Sequence, residues 1–147
     1  MVLQPRPTGW PVGDARETRL PHFTVEYSAN MAHDPQALAQ VIADAALETG
    51  LFPLGGLRVR MVACDDYVIA DGHDDNAFVA ILARIGAGRE EAVKREAASH
   101  VFEAAREFFA DDLDGGYFML SLDLIENDAN CSFKANGVHA RLKREMS

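Results

Sequence analysis

Apolar and polar residues alternate over the first ordered stretch of this chain. Phe23, Val25 and Tyr27 interleave with His22, Thr24 and Glu26, the period of a half-buried β-strand across 21–27. Pro21 stands at its first position, where a missing N–H costs the ladder little. Asp34-Pro35 then reads as a helix start, with Asp34 as cap and Pro35 in the first turn. Leu38, Val41, Ile42 and Ala45 form one helical face, and Gly50 ends it. After the turn-rich Phe52-Pro53-Leu54-Gly55-Gly56 a strand follows from Leu57 to Cys64. Its faces are Leu57, Val59, Met61 and Ala63 on one side, and Arg58, Arg60, Val62 and Cys64 on the other. A polar connection, Asp65 to Asn76, precedes a second round of the same pattern. Ala77–Arg84 reads as a strand, Gly86-Ala87-Gly88 as a turn, and a helix runs from Arg89 with Glu90 and Glu91 in its first turn. Its stripe is Val93, Ala97, Val101, Ala104, Ala105 and Phe108. Gly115-Gly116 breaks the chain, and Tyr117–Glu126 is a strand with Phe118, Leu120, Leu122 and Leu124 on one face.

The chain is therefore two β-α-β units in tandem, an α+β fold. Right-handed crossovers give a four-stranded mixed sheet with both helices on one face. The opposite face carries Arg58, Arg60, Thr24 and Ser121 among apolar neighbours such as Val62 and Ile125. A face of that kind is usually covered by another subunit, so an oligomer is expected. The segment Asn130–His139 is too apolar for a free end and is expected to pack on a neighbour.

Residues 1–20 differ from the rest. Pro5, Pro7 and Pro11 with Gly9 and Gly13 leave little room for helix or strand. The expected organisation is an extension over 1–20 and one domain over 21–147. Two explanations of the extension stand side by side: a genuine arm that covers something, or a start assigned too far upstream. Under the second, a leucine codon at Leu20 initiates as methionine, and its removal exposes Pro21.

Composition narrows the function classes. A formal charge of −9 argues against nucleic acid, which calls for a basic face. No apolar run reaches the ~20 residues of a membrane span, and the first twenty residues contain no apolar signal core. Two cysteines, Cys64 and Cys131, without CxxC spacing suggest neither a disulfide framework nor zinc, and make the cytoplasm the default compartment. The five histidines show no HxH or HExxH spacing, so no metal site is expected. Asp71 to Asp75 lacks the calcium-loop pattern, and Gly86-Ala87-Gly88 lacks the third glycine of a dinucleotide fingerprint.

Arg58 and Arg60 share a strand face, and Arg89 sits where the third strand gives way to the second helix. A guanidinium fork matches both oxygens of a carboxylate, although a single arginine is ordinarily solvated surface charge. Pro21 has two readings. It is a strand-initiating proline, or, as residue one, a secondary amine able to act as a general base once burial or nearby cations lower its pKa.

Five ordered motifs carry a resemblance. They are Pro21-His22-Phe23, Phe52-Pro53-Leu54-x-Gly56-Leu57-Arg58-x-Arg60, Ala70-Asp71-Gly72, Ile85-Gly86-Ala87-Gly88-Arg89, and Phe133-Lys134-x-Asn136-x-Val138-His139-Ala140. Over residues 21–143 the chain resembles the 5-carboxymethyl-2-hydroxymuconate Δ-isomerases of the tautomerase superfamily. That resemblance implies a tautomerase-like fold, a homotrimer, a dicarboxylate or tricarboxylate substrate from homoprotocatechuate degradation, and no metal or organic cofactor. It implies Pro21 as catalytic base, Arg58 and Arg89 as catalytic arginines, and a substrate-binding set of Arg58, Arg60, Arg89 and Phe133. Other readings are a related tautomerase acting on another 2-hydroxydienoate or a phenylpyruvate-like enol, a non-catalytic anion-binding oligomer, and a structural trimer. One departure matters chemically: Pro21 is preceded by Leu20, and an acylated proline nitrogen, its lone pair delocalised into the carbonyl, cannot accept a proton.

Overall fold

A computed structural model describes residues 20–146. Strand β1 spans His22–Ser28, helix α1 Pro35–Glu48, strand β2 Arg58–Cys64, strand β3 Ala77–Gly86, helix α2 Glu91–Phe108 and strand β4 Phe118–Asn127. These are the six elements that the alternation predicts, in the same order. The β1–β2 and β3–β4 pairs are parallel, as β-α-β crossovers require, and β1 joins β3 antiparallel. The sheet order is therefore β2-β1-β3-β4.

Local chemistry accounts for the element boundaries. The Asp34 carboxylate accepts from the Gln36 amide at 3.0 Å, capping α1, and Pro35 occupies the first turn. Ser28 ends β1 as a buried polar residue, and its hydroxyl accepts the Phe78 amide at 2.9 Å, so its burial leaves no polar group stranded. On the helical side of the sheet, Phe23, Val25 and Ile81 meet Leu38, Ile42 and Val101 in one buried cluster. Phe109, fully buried, closes one end by stacking on Phe118 with ring centroids 4.5 Å apart.

Three short elements were not expected. A single 3₁₀ turn forms over Leu54–Gly56, helix α3 over Ala110–Gly115, and helix α4 over Gly137–Glu145. The last begins within the Asn130–His139 segment, which is tied to its own chain through Asn136. The Asn136 amide donates to the Gly55 carbonyl at 2.6 Å while its carbonyl oxygen accepts the His139 amide at 3.0 Å, capping α4. Gly55 permits the approach. A Cβ there would stand 2.6 Å from the His139 Cα. Phe133 stays 81% exposed and Val138 53%, so apolar side chains of the segment remain turned outward.

The face opposite the helices is read from the register. One row runs Arg58, His22, Arg84, Ile125, and the next Arg60, Thr24, Leu82, Asp123. The expected mixture of arginines and apolar side chains is present, with Met119 and Ile125 exposed.

Candidate active site

Topology gathers the candidate chemistry at one end of the sheet. The first residues of β1 and β2 and the last of β3 and β4 lie side by side there, because β1 and β2 run against β3 and β4. A pocket of about 510 Å³ opens at this end, lined by Leu20, His22, Arg58, Arg84, Phe133 and Lys134 among others. Its outer wall is the Ser132–Asn136 segment, held by the Asn136–Gly55 hydrogen bond.

Pro21 is fully buried between two lining residues, Leu20 and His22, without being part of the lining itself, and its carbonyl accepts the Arg58 amide at 3.2 Å, extending the β1–β2 ladder by one bond. Leu20 is 6% exposed and seated on Gly56: a Cβ on that glycine would lie 2.4 Å from the Leu20 Cδ2. Leu20, whose carbonyl acylates the Pro21 nitrogen, thus lies over Gly56 and lines the same pocket.

The register sets Arg58 and Arg84 on either side of His22. Burial holds the His22 imidazole below its ordinary pKa, and Arg58, Arg60 and Arg84 push in the same direction. At neutral pH the ring is therefore uncharged, and the positive charge of the pocket is carried by Arg58, Arg84 and Lys134. None of the described lining residues is acidic. In a chain of charge −9 this is a local reversal of sign, and it suits an anion.

The sequence-chosen residues divide. Arg58 lines the pocket, and so does Phe133. Arg60 lies on the same sheet face one row farther along β2 and is exposed. Arg89 is at the same end of the sheet but stands outside the lining. Its guanidinium donates to the Leu51 carbonyl at 2.9 Å and lies 4.9 Å over the Phe52 ring. The turn before it is tied to β4 by Glu126, which accepts the Gly88 amide at 3.3 Å and pairs with Lys94. His22, Arg84 and Lys134 were not singled out from the sequence. For Arg84 the signal lay in cross-strand register, which local periodicity does not contain; His22 and Lys134 sit inside quoted motifs.

With this geometry in view, the family model for 5-carboxymethyl-2-hydroxymuconate isomerase matches residues 21–142. The chain belongs to the 5-carboxymethyl-2-hydroxymuconate isomerase family. The 5-carboxymethyl-2-hydroxymuconate Delta-isomerase of Escherichia coli is 36% identical to this chain over 127 residues, spanning 84% of this chain and 100% of that protein. The crystal structure of a 5-carboxymethyl-2-hydroxymuconate isomerase from Deinococcus radiodurans R1 matches with a TM-score of 0.78 at 33% identity, covering 85% of this chain and 96% of that one. A more distant solved structure, described as a Q0 fused 4-OT wild type symmetric trimer, shares the fold at TM-score 0.51 and 21% identity, over 81% and 98% of the two chains. The four-stranded mixed sheet is the α+β architecture that the tandem β-α-β pattern predicts, and this fold is shared with that distant structure.

Proposed function

We propose that this protein ketonises 5-carboxymethyl-2-hydroxymuconate, with residues 1–20 removed and the Pro21 amine as the general base. The observation that carries this reading is the pocket beside Pro21, lined by Arg58, Arg84 and Lys134 and by no described carboxylate. In the mechanism, the amine takes the proton of the 2-hydroxyl group, leaving a dienolate. The same nitrogen returns a proton to C-5, the C-2 oxygen becomes a carbonyl, and proton and electron counts balance within the isomerisation. Buried next to guanidinium groups, the amine is held neutral and ready to accept a proton. Arg58 holds a carboxylate and stabilises the developing enolate charge, a contact commonly worth ~3–4 kcal/mol of barrier; Arg89, outside this chain's own lining, serves this role only across a subunit boundary. The α-keto acid system delocalises the charge, so the steps require neither metal nor organic cofactor.

Loss of residues 1–20 has two effects on this site. It converts an amide nitrogen into a secondary amine, and it removes the Leu20 side chain from the pocket. The same reading includes a homotrimer and a cytoplasmic setting. The trimer is supported by the exposed Met119 and Ile125 on the open sheet face and by a trimeric fold neighbour. The cytoplasmic setting accords with the cysteine usage and with the fact that, among the described residues, no helix is long and apolar enough to cross a membrane.

The test compares ketonisation by the full chain with that by a chain beginning at Pro21. Activity in the short form alone is expected, and equal activity in both removes Pro21 as the base. Intact mass of the protein from its native host is expected to show a chain starting at Pro21. In the short form, Arg58→Ala should lower turnover of the carboxylated substrate by ~10²–10³-fold while sparing neutral enols. Equal losses on both would remove Arg58 from substrate binding.

A further inference from the structure

The pocket holds more cationic groups than Arg58 alone, and their placement is specific. We propose that Arg84 and Lys134 form a second carboxylate-binding subsite, on the far side of His22 from Arg58, which selects substrates bearing a second acid group. As a specificity determinant this subsite rests on the isomerase reading; as a binding site it does not.

The spacing comes from the sheet. Arg58 and Arg84 are the register partners of His22 on its two sides. Adjacent strands are ~4.8 Å apart, so their backbones lie roughly 10 Å from each other across β1. One carboxylate does not bridge that gap comfortably. Two carboxylates at the ends of a six-carbon chain fit it, one to each arginine. Between them His22 offers an uncharged ring, and Phe133 an exposed apolar face, for the carbon skeleton.

Arg84 is exposed at the end of β3, and Lys134 approaches from the wall segment, its ammonium donating to the Ser132 hydroxyl at 2.6 Å. That bond uses one of three ammonium protons. Two nearby acids have other occupations: Glu126 binds Lys94 and the Gly88 amide, and Asp128 accepts the Asn130 amide at 2.9 Å. Asp123 stands on β4 one row from Arg84 and makes no ion pair with it. No ion pair among the described residues involves Arg58, Arg84 or Lys134. Lone cations facing one cavity favour an anionic guest, and a fork on one side with a point charge on the other holds a carboxylate from two directions.

The experiment is calorimetric titration of the full chain with cis,cis-muconate and with sorbate, six-carbon dienoic acids carrying two carboxylates and one. Muconate is expected to bind about tenfold more tightly, the scale of one added charge-assisted hydrogen-bonded contact. Arg84→Gln and Lys134→Gln should each bring muconate to within about threefold of sorbate and leave sorbate unchanged, while Arg84→Lys retains part of the preference. Both positions are exposed, and circular dichroism confirms that the variants fold. A wild type without preference for muconate, or a variant that keeps the wild-type ratio, overturns the paired subsite. Failure of the isomerase reading shows separately, as a Pro21-initiated chain that does not ketonise while the muconate-to-sorbate ratio of the full chain persists.

Discussion

Gly56→Ala is expected to change sign with the presence of a single neighbouring residue. In the full chain the new methyl would lie 2.4 Å from the Leu20 Cδ2 and 3.4 Å from its Cα. Carbon atoms pack at ~3.5–4.0 Å, so the overlap with Cδ2 exceeds about 1 Å. Leu20 can shift bodily, or it can swing into the pocket and lose its burial. Either response costs about 1–3 kcal/mol. In a chain that begins at Pro21 the obstruction is gone. The remaining neighbour, Pro53 Cγ at 3.4 Å, is at ordinary contact distance, and Gly56 does not have a positive φ. There the alanine restricts only the unfolded chain and should stabilise by about 0.4–1 kcal/mol. Urea unfolding of the two chains with and without the substitution reads both signs as midpoint shifts at constant slope. Within the full chain, Leu20→Ala combined with Gly56→Ala should recover most of the loss, a coupling between residues in contact. An equal cost of Gly56→Ala in both backgrounds would refute the seating of Leu20 on Gly56.

Other consequences follow from the same geometry. His22 has a folded pKa below that of the unfolded chain, so the unfolded state binds more protons; stability is full above about pH 6.5 and falls as pH drops through the folded value. His22→Gln should flatten the urea midpoint between pH 7.5 and 5, and an unchanged slope would show that another group sets it. Gly55→Ala places a methyl 2.6 Å from the His139 backbone and should cost about 1–3 kcal/mol while loosening α4; tryptic cleavage after Lys134 should accelerate, and an unchanged rate counts against this docking. Phe109→Ala removes a fully buried ring stacked on Phe118 and should cost about 3–5 kcal/mol in thermal unfolding; a loss under 1 kcal/mol would mean that the cavity collapses.

Most of the architecture was legible because both periodicities are strong. The stripe of α1 and the alternation of β1 survive without reference to any other segment, and parallel pairing follows from the crossovers. The short elements were not legible. Helix α3 is one polar turn after Phe109, and α4 is rich in charge without an apolar stripe; each exists because tertiary contacts or a cap hold it. Arg58 and Phe133 could be chosen from residue type and motif. Arg84 could not, and its place beside His22 follows only from the antiparallel register of β1 and β3.

The wall of the pocket comes late in the chain. β4, the last strand, ends at Asn127, whereas Phe133, Lys134 and Asn136 follow it. During synthesis the whole sheet and both long helices can therefore emerge and collapse before the groove has its outer lip. A single protease nick between Asn127 and Ser132 would leave the hydrophobic interior covalently intact, with Arg58 and Arg84 in place, while the lip that carries Phe133 and Lys134 would be held only by its noncovalent contacts.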